Sequence, residues 1–272
     1  MTSIKMILSD IDGTLLNDEA DLLPSTITGL KKAAAQGAQI VLASARSPKG
    51  MFGLAQQLGV HSTMIAYNGA LTAATDAADH LTVMEQQPIP LAAAQAVQKV
   101  VAQRWPEASL NIYTNNDWYV EQVAAWEEQE ADGIGYQPTI TPLATWLATP
   151  QTPIHKLMIM APASTIAAIE PLLKSPEFAD LDVYRSKPTY LEIVATGVSK
   201  AAALKKLLVD EQVATPQTMA FGDNFNDVAM LQTVGIGVAM GNAPQAVKDA
   251  ADIVTLDNNH DGIAKVLQVY FD

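Results

Sequence analysis

No cysteine occurs anywhere in the chain, which excludes disulfides, thiolate chemistry and cysteine-ligated zinc or iron–sulfur sites. Basic residues are scarce: 16 Lys and Arg stand against 29 Asp and Glu, a formal net charge of −13. Without a basic run to neutralise a phosphate backbone, no nucleic-acid partner is expected. An acidic surface is likewise not drawn to anionic membranes. Long uninterrupted apolar runs are also missing. Gly50 to Thr75 has no Asp, Glu, Lys or Arg, yet Gln56, Gln57, His61, Ser62, Thr63 and Asn68 break it up, so it does not read as a membrane span. Met1 to Asp10 holds too short an apolar stretch for a secretory signal. The expectation is a soluble, cytoplasmic protein. An anionic substrate would have to be attracted by local cations or a metal, because the overall field repels it.

What is present is regular alternation at both ends of the chain. Ile4 to Ser9 reads as a buried strand that stops at an acidic cluster. Pro24 to Gln36 reads as a helix with Leu23, Ile27, Leu30 and Ala34 on one face. Gln39 to Ala43 is a second strand, Met51 to Leu58 a short helix closed by Gly59, and Thr63 to Ala66 a third strand. Apolar runs without period-two alternation suit a parallel sheet covered on both faces. After about residue 85 the pattern changes. Leu91 to Arg104 and Thr165 to Leu173 read as helices, and Leu110 to Tyr113 with Tyr119 to Val123 as a hairpin about Thr114 to Asp117. His155 to Met160, Val183 to Tyr184 and Leu191 to Val194 read as further strands. From Ser199 alternation returns. Helices are expected over Lys200 to Val209, Asp227 to Val234 and Ala243 to Ala250, with strands at Thr218 to Phe221, Ile236 to Ala239 and Ile253 to Val254. The sequence thus predicts an α/β core from residues 1–85 and 194–272, interrupted by an α+β domain over 86–193.

The strongest chemical signal is Asp10-Ile11-Asp12-Gly13-Thr14, directly after the first strand. Open α/β sheets place their ligands at the carboxyl ends of strands, where these two carboxylates fall. Such a pair repels itself unless a cation or proton intervenes. Gly13 lets the backbone turn sharply and bring amides close to an oxyanion. A second signal, Gly222-Asp223-Asn224-Phe225-Asn226-Asp227, offers acids and amides that suit a hard, oxygen-seeking cation. It is also an ordinary turn composition, and Asp227 could serve only as the cap of a helix. Ser44, after the second strand, can donate its hydroxyl to a phosphoryl oxygen. Lys200, opening a helix, can set a positive charge beside it.

Taken in order, Asp10-Ile11-Asp12-Gly13-Thr14-Leu15, Ala43-Ser44-Ala45-Arg46, Gly197-Val198-Ser199-Lys200 and Gly222 to Asp227 resemble the four motifs of the haloacid dehalogenase superfamily. Asn68-Gly69-Ala70 and Asn258 to Gly262 resemble its Cof-type subfamily, whose large cap is inserted between the second and third motifs. The second motif departs from the usual Thr-Gly-Arg, with Ser44 keeping the hydroxyl and Ala45 replacing glycine.

The resemblance implies a Rossmann-like core with an α+β cap and a Mg2+-dependent phosphatase acting on small phosphorylated metabolites. Asp10 would be the nucleophile that forms an aspartyl phosphate, and Asp12 the general acid and base. Mg2+ would be held by Asp10, the backbone carbonyl of Asp12 and Asp223, with Asp227 helping through water. Gly13, Ser44 and Lys200 would grip the phosphoryl oxygens, with Asn226 positioning Lys200 or its neighbours. Arg46 is a candidate substrate contact, and Asn68 one for the substrate or for the residues that hold it; in the inserted domain Arg185, Lys187, Tyr184 and Tyr190 are either substrate contacts or ordinary solvated and packing residues. The cap would close over the site and exclude bulk water. A phosphomutase or phosphotransferase using the same intermediate, and a non-catalytic phosphate-ligand binder, are the competing readings. No obligate protein partner is evident in the sequence.

Overall fold

A computed structural model describes residues 3–60, 62–75, 80–150 and 152–272. The chain begins with β1 (Met6–Ser9), α1 (Pro24–Ala35), β2 (Gln39–Ala43), α2 (Pro48–Leu58), β3 (Ser62–Ala66), β4 (Leu71–Thr75) and β5 (Leu81–Gln86). It continues through α3 (Leu91–Arg104), β6 (Ser109–Thr114), β7 (Asp117–Val120), α4 (Ala125–Ile134), β8 (Thr139–Ile140), α5 (Leu143–Ala148), β9 (Ile154–Met160), α6 (Ala163–Leu173), β10 (Leu181–Lys187) and β11 (Tyr190–Ala195). It ends with α7 (Lys200–Asp210), β12 (Thr218–Gly222), α8 (Val228–Leu231), β13 (Ile236–Ala239), α9 (Gln245–Lys248), β14 (Ile253–Val254) and α10 (Gly262–Phe271). Two compact units result: Met1–Glu85 with Ser199–Asp272, and Gln86–Val198. The second boundary lies later than the sequence placed it, because Val194 and Ala195 complete β11.

The first unit is built on an eight-stranded sheet in the order β14-β13-β12-β1-β2-β3-β4-β5. From β14 to β3 every pair is parallel, and β4 then turns back antiparallel to β3. Met6, Ile7 and Leu8 are all fully buried, which is why β1 reads as a continuous apolar run. Met6, Leu8, Val41, Ile65, Leu204 and Leu207 share one core cluster with Met230 and Leu231. Each such side chain contributes about 1.5–3 kcal/mol on burial. The path from β1 leads to β2 on one side and returns through α7 to β12 on the other. β1 is therefore the switch point, and the crevice opens at the carboxyl ends of β1 and β12.

Beyond β1 the chain makes a tight turn in which the Ile11 carbonyl accepts from the amides of Thr14, Leu15 and Leu16. A small hairpin follows, closed by the Leu16–Leu22 bridge. Asn258 ties it down, donating to the Leu16 carbonyl and to Asp18 Oδ1, each at 3.0 Å. Asn259 donates to Asp18 Oδ2, and the two amides hold the Asp18 carboxyl below its usual range.

The second unit carries a six-stranded sheet in the order β10-β11-β9-β6-β7-β8, antiparallel except for the β7–β8 pair. Ile166, Ile169 and Leu173 of α6 are buried where that helix packs on β10 and β11. Trp118 is buried, stacks on Tyr113 at 5.7 Å and donates its indole N–H to Asn111 Oδ1 at 2.8 Å. In mid-sheet, Lys156 Nζ lies 3.5 Å from Glu192 Oε2 and 4.6 Å from the Tyr113 ring centroid, with both charged side chains buried. Among the described residues, no helix is long and apolar enough to cross a membrane.

Several elements differ from the sequence reading. In α1, which packs on α10, the fully buried positions are Thr26, Leu30 and Ala33; of the expected face Leu30 is fully buried and Leu23, Ile27 and Ala34 are half-buried. The hairpin turns on Asn115 and Asn116 alone, so β7 starts at Asp117 and ends at Val120. The helix expected from Asp227 is a 3₁₀ turn, Phe225–Asp227, followed by the single turn of α8. The helix expected over Ala243 to Ala250 is only α9.

Candidate active site

Asp10 follows β1 and is held in line by its amide, which donates to the Phe221 carbonyl of β12 at 3.0 Å. Parallel register then places residues from three strand ends together. Ser9 pairs with Leu42 of β2 and with Phe221 of β12, so Ser44 and Asp223 emerge beside Asp10 and Ile11. Lys200, the first residue of α7 and 1% exposed, donates to Asp10 Oδ1 and, at 2.7 Å, to Asp227 Oδ1. Asp227 Oδ2 accepts from the amides of Asp223 and Asn224 at 3.2 and 3.0 Å. Thr14 Oγ1 donates to Asp223 Oδ1 at 2.7 Å.

Carboxylate oxygens of Asp10, Asp223 and Asp227 lie within 4.8 Å of one another. Burial pushes the Asp10 carboxyl up to about 8 against the pull of Lys200, and repulsion from Asp227 and Asp223 adds to the rise. Burial raises Asp223 as well, with Thr14 opposing it and Asp227 reinforcing it. Burial alone would lower Lys200, but Asp10 and Asp227 outweigh it and hold the ammonium above its ordinary value. Three carboxylates against one ammonium leave a surplus of negative charge, and every donor in the set is a hard oxygen. Such a cluster fits Mg2+.

Two glycines set the close approaches. Gly13 has φ +83, and a Cβ there would stand 2.5 Å from Asp223 Oδ2. Gly69 has φ +111, and a Cβ there would enter the carbonyl of Ser199, the N-cap of α7. The 3₁₀ turn Tyr67–Gly69 thus seats the start of the helix that carries Lys200.

The other expected residues fall as follows. Ser44 is buried, and its hydroxyl accepts from the Arg46 amide at 3.2 Å. The Asn68 amide donates to the Ser44 carbonyl at 2.9 Å. Asn226 donates to Asn68 Oδ1 at 3.2 Å, whereas the acceptors around the Lys200 ammonium are Asp10 and Asp227. Asp12 is exposed and paired with Arg46, whose Nε and Nη2 donate to its two oxygens at 3.0 and 2.6 Å. Arg185 and Lys187 belong to the second unit, where Arg185 pairs with Glu170 and Lys187 lies 4.4 Å over the Tyr190 ring. There, too, Tyr184 lies 3.4 Å from Glu192.

Three features were not anticipated. Thr14 was part of the first motif but carried no expected role. Asn242, just beyond β13, donates to the Gly13 carbonyl at 2.8 Å, and its only sequence signal is its position after a parallel strand. The direct Lys200–Asp227 bond is the third.

Residues 7–267 match the family model for haloacid dehalogenase-like hydrolases. A Haemophilus influenzae protein provisionally named a phosphatase is 35% identical over 277 residues, covering 98% of both chains. The Bacillus subtilis 5-amino-6-(5-phospho-D-ribitylamino)uracil phosphatase YcsE is 30% identical over 97% of this chain and 95% of its own. The crystal structure of a haloacid dehalogenase-like hydrolase from Bacteroides thetaiotaomicron, 28% identical, superposes with a TM-score of 0.89 over 99% of this chain and 100% of that one. The chain belongs to the haloacid dehalogenase-like hydrolase family and is a phosphatase-type enzyme within it.

Proposed function

We propose that this protein hydrolyses small phosphorylated metabolites in a Mg2+-dependent reaction that passes through an aspartyl phosphate on Asp10. The observation that carries the proposal is the burial of Asp10 against Lys200 within a carboxylate cluster at the switch point of the sheet. An Asp10 oxygen attacks phosphorus, the bond from phosphorus to the leaving oxygen breaks, and Asp12 gives that oxygen its proton. In the second half-reaction a water attacks the same phosphorus and Asp12 takes its proton. The bond to Asp10 then breaks, which frees the carboxylate and inorganic phosphate.

Lys200 meets the charge on the reacting group from within the core, held there by Asp227. Ser44, just after β2, and the Gly13 backbone amide would offer donors to the remaining phosphoryl oxygens. Asp10, the Asp12 carbonyl and Asp223 would hold Mg2+, with Asp227 acting through water because Lys200 and two amides already occupy its oxygens. Bound there, the ion offsets the mutual repulsion of carboxylates and phosphate. Residues 86–193 would form a cap that selects the leaving group, with Arg185 and Lys187 as candidate contacts.

The substrate class rests on relatives. YcsE is named for a phosphorylated ribitylaminouracil, and YbhA of Escherichia coli, 29% identical, for pyridoxal phosphate. The test is phosphate release from a panel of sugar phosphates and phosphorylated cofactors, with Mg2+ or EDTA. Release that requires both the metal and Asp10 is expected. Full Mg2+-dependent turnover by Asp10→Asn would remove Asp10 as nucleophile.

A further inference from the structure

We infer that Arg46 is a positioning residue for Asp12: it fixes the direction of the proton-transferring carboxylate and does not bind substrate itself. The inference rests on the proposed role of Asp12. It starts from an asymmetry between the two partners. The Asp12 side chain is 61% exposed, whereas that of Arg46 is 21% exposed. An exposed aspartate left alone would sample several rotamers, and a proton donor must sit within hydrogen-bond reach of its target.

Arg46, by contrast, is anchored at both ends of its backbone. Its amide donates to Ser44 Oγ at 3.2 Å, and its carbonyl accepts from Tyr67 at 3.0 Å. The Tyr67 amide belongs to the turn that also seats α7, so the base of the guanidinium is fixed to the same framework as Lys200. From that base the planar fork meets both oxygens of Asp12 at once, which sets the carboxylate plane as well as its position. A lysine could supply the charge but not the plane.

The pairing is compatible with proton transfer. A carboxylate has about four lone-pair sites, and the fork occupies one on each oxygen. The other site on either oxygen can carry the proton that goes to the leaving oxygen, or receive the one that comes from water. Arg46 need not move during either half-reaction.

The test exploits leaving groups that differ in their need for a proton. A phenolate such as that of p-nitrophenyl phosphate departs without one, whereas an alkoxide does not. Because kcat/KM reports the steps up to departure, Arg46→Ala is expected to lower it about 30-fold for alkyl phosphates and less than about threefold for p-nitrophenyl phosphate. Arg46→Lys should behave like Arg46→Ala, and in an Asp12→Ala background the Arg46 change should add nothing. Equal losses on both substrates, a raised KM with kcat preserved, or restoration by lysine would overturn the inference. Should Arg46→Ala fail to fold, as seen by its thermal melt, Arg46→Lys and Arg46→Gln carry the same comparison. Asp10→Asn, run in parallel, separates the two ideas. Retained turnover there defeats the phosphatase chemistry as proposed, while lost turnover with equal Arg46 effects defeats only the positioning role.

Discussion

At the carboxyl ends of β1 and β12, three carboxylates cluster around one ammonium that bonds two of them, whereas in the middle of the second sheet Lys156 on β9 pairs, among the described residues, with Glu192 on β11. Both arrangements put charge where water is scarce. Among the described residues the second sets one charge against one, beside an aromatic ring. The first does not, and its negative surplus sits at the open ends of parallel strands. A balanced buried pair can be replaced by apolar groups at little net cost, while a surplus needs a partner from outside. Burial of charge alone does not mark a site, but burial with an unmatched sign beside a crevice does.

The largest effect expected from breaking this contrast is at Lys200. Lys200→Met leaves Asp10, Asp223 and Asp227 without their internal cation, and kcat/KM for phosphate release should fall about 10³-fold. A loss under tenfold would show that the ammonium is incidental to the chemistry.

Lys156→Met in the second unit should instead destabilise the fold by about 3–5 kcal/mol, because Glu192 is left buried and unpaired. The double replacement Lys156→Met with Glu192→Leu should return close to wild-type stability in urea titrations. If the double variant were as unstable as the single one, the pair would not be the self-balancing unit described here.

His155, adjacent to Lys156, gives a pH-dependent version of the same comparison. Burial pushes its imidazole down to about 4, so below its ordinary value near 6.5 the unfolded chain takes up the proton first. Stability is complete above that value and falls with acid, by about 2 kcal/mol at pH 5 and about 3 kcal/mol at pH 4. Urea midpoints of wild type and His155→Asn measured across this range should converge as the pH drops. Parallel curves would mean that the imidazole is not held neutral.

A metal titration separates the two clusters by ligand. Mg2+ at a hundred times its dissociation constant should stabilise the wild type by about 2.7 kcal/mol. Asp223→Asn should abolish most of that thermal shift, and Glu192→Gln should leave it intact. A shift that survived Asp223→Asn would move the metal elsewhere.

Much of the first unit was legible because its strands are apolar on both faces and end abruptly in acids, as at Ser9–Asp10 and Gly222–Asp223. The residues at those ends are short and sit where the strand leaves them, so naming the strand nearly places the side chain. What could not be read depends on partners far apart in the chain. Arg46 reaches Asp12 across 34 positions, and nothing in either local sequence distinguishes that pairing from a substrate contact. Asn226 is expected to position Lys200 or its neighbours; it bonds Asn68 in the turn that seats α7, while the direct partner of the ammonium is Asp227, whose two oxygens meet the ammonium and two backbone amides together. The same pull accounts for the lost helix. With Asp227 turned back toward Asp223 and Asn224, the chain closes into a 3₁₀ turn before α8 can begin. β4 carries little strand signal in Leu71-Thr72-Ala73-Ala74-Thr75, whose residues are mostly small and weakly apolar, and it is a strand through its pairing with β3.

The seat that Gly69 provides for Ser199 has a consequence for tolerance to change. It works as a mechanical stop, fixing how far α7 can slide toward the sheet, and Lys200 is the next residue along. A single methyl group at Gly69 would lift that stop and carry the ammonium away from Asp10, although no atom of residue 69 takes part in proton or phosphoryl transfer. The tightest clearance in the site therefore belongs to a residue with no side chain at all.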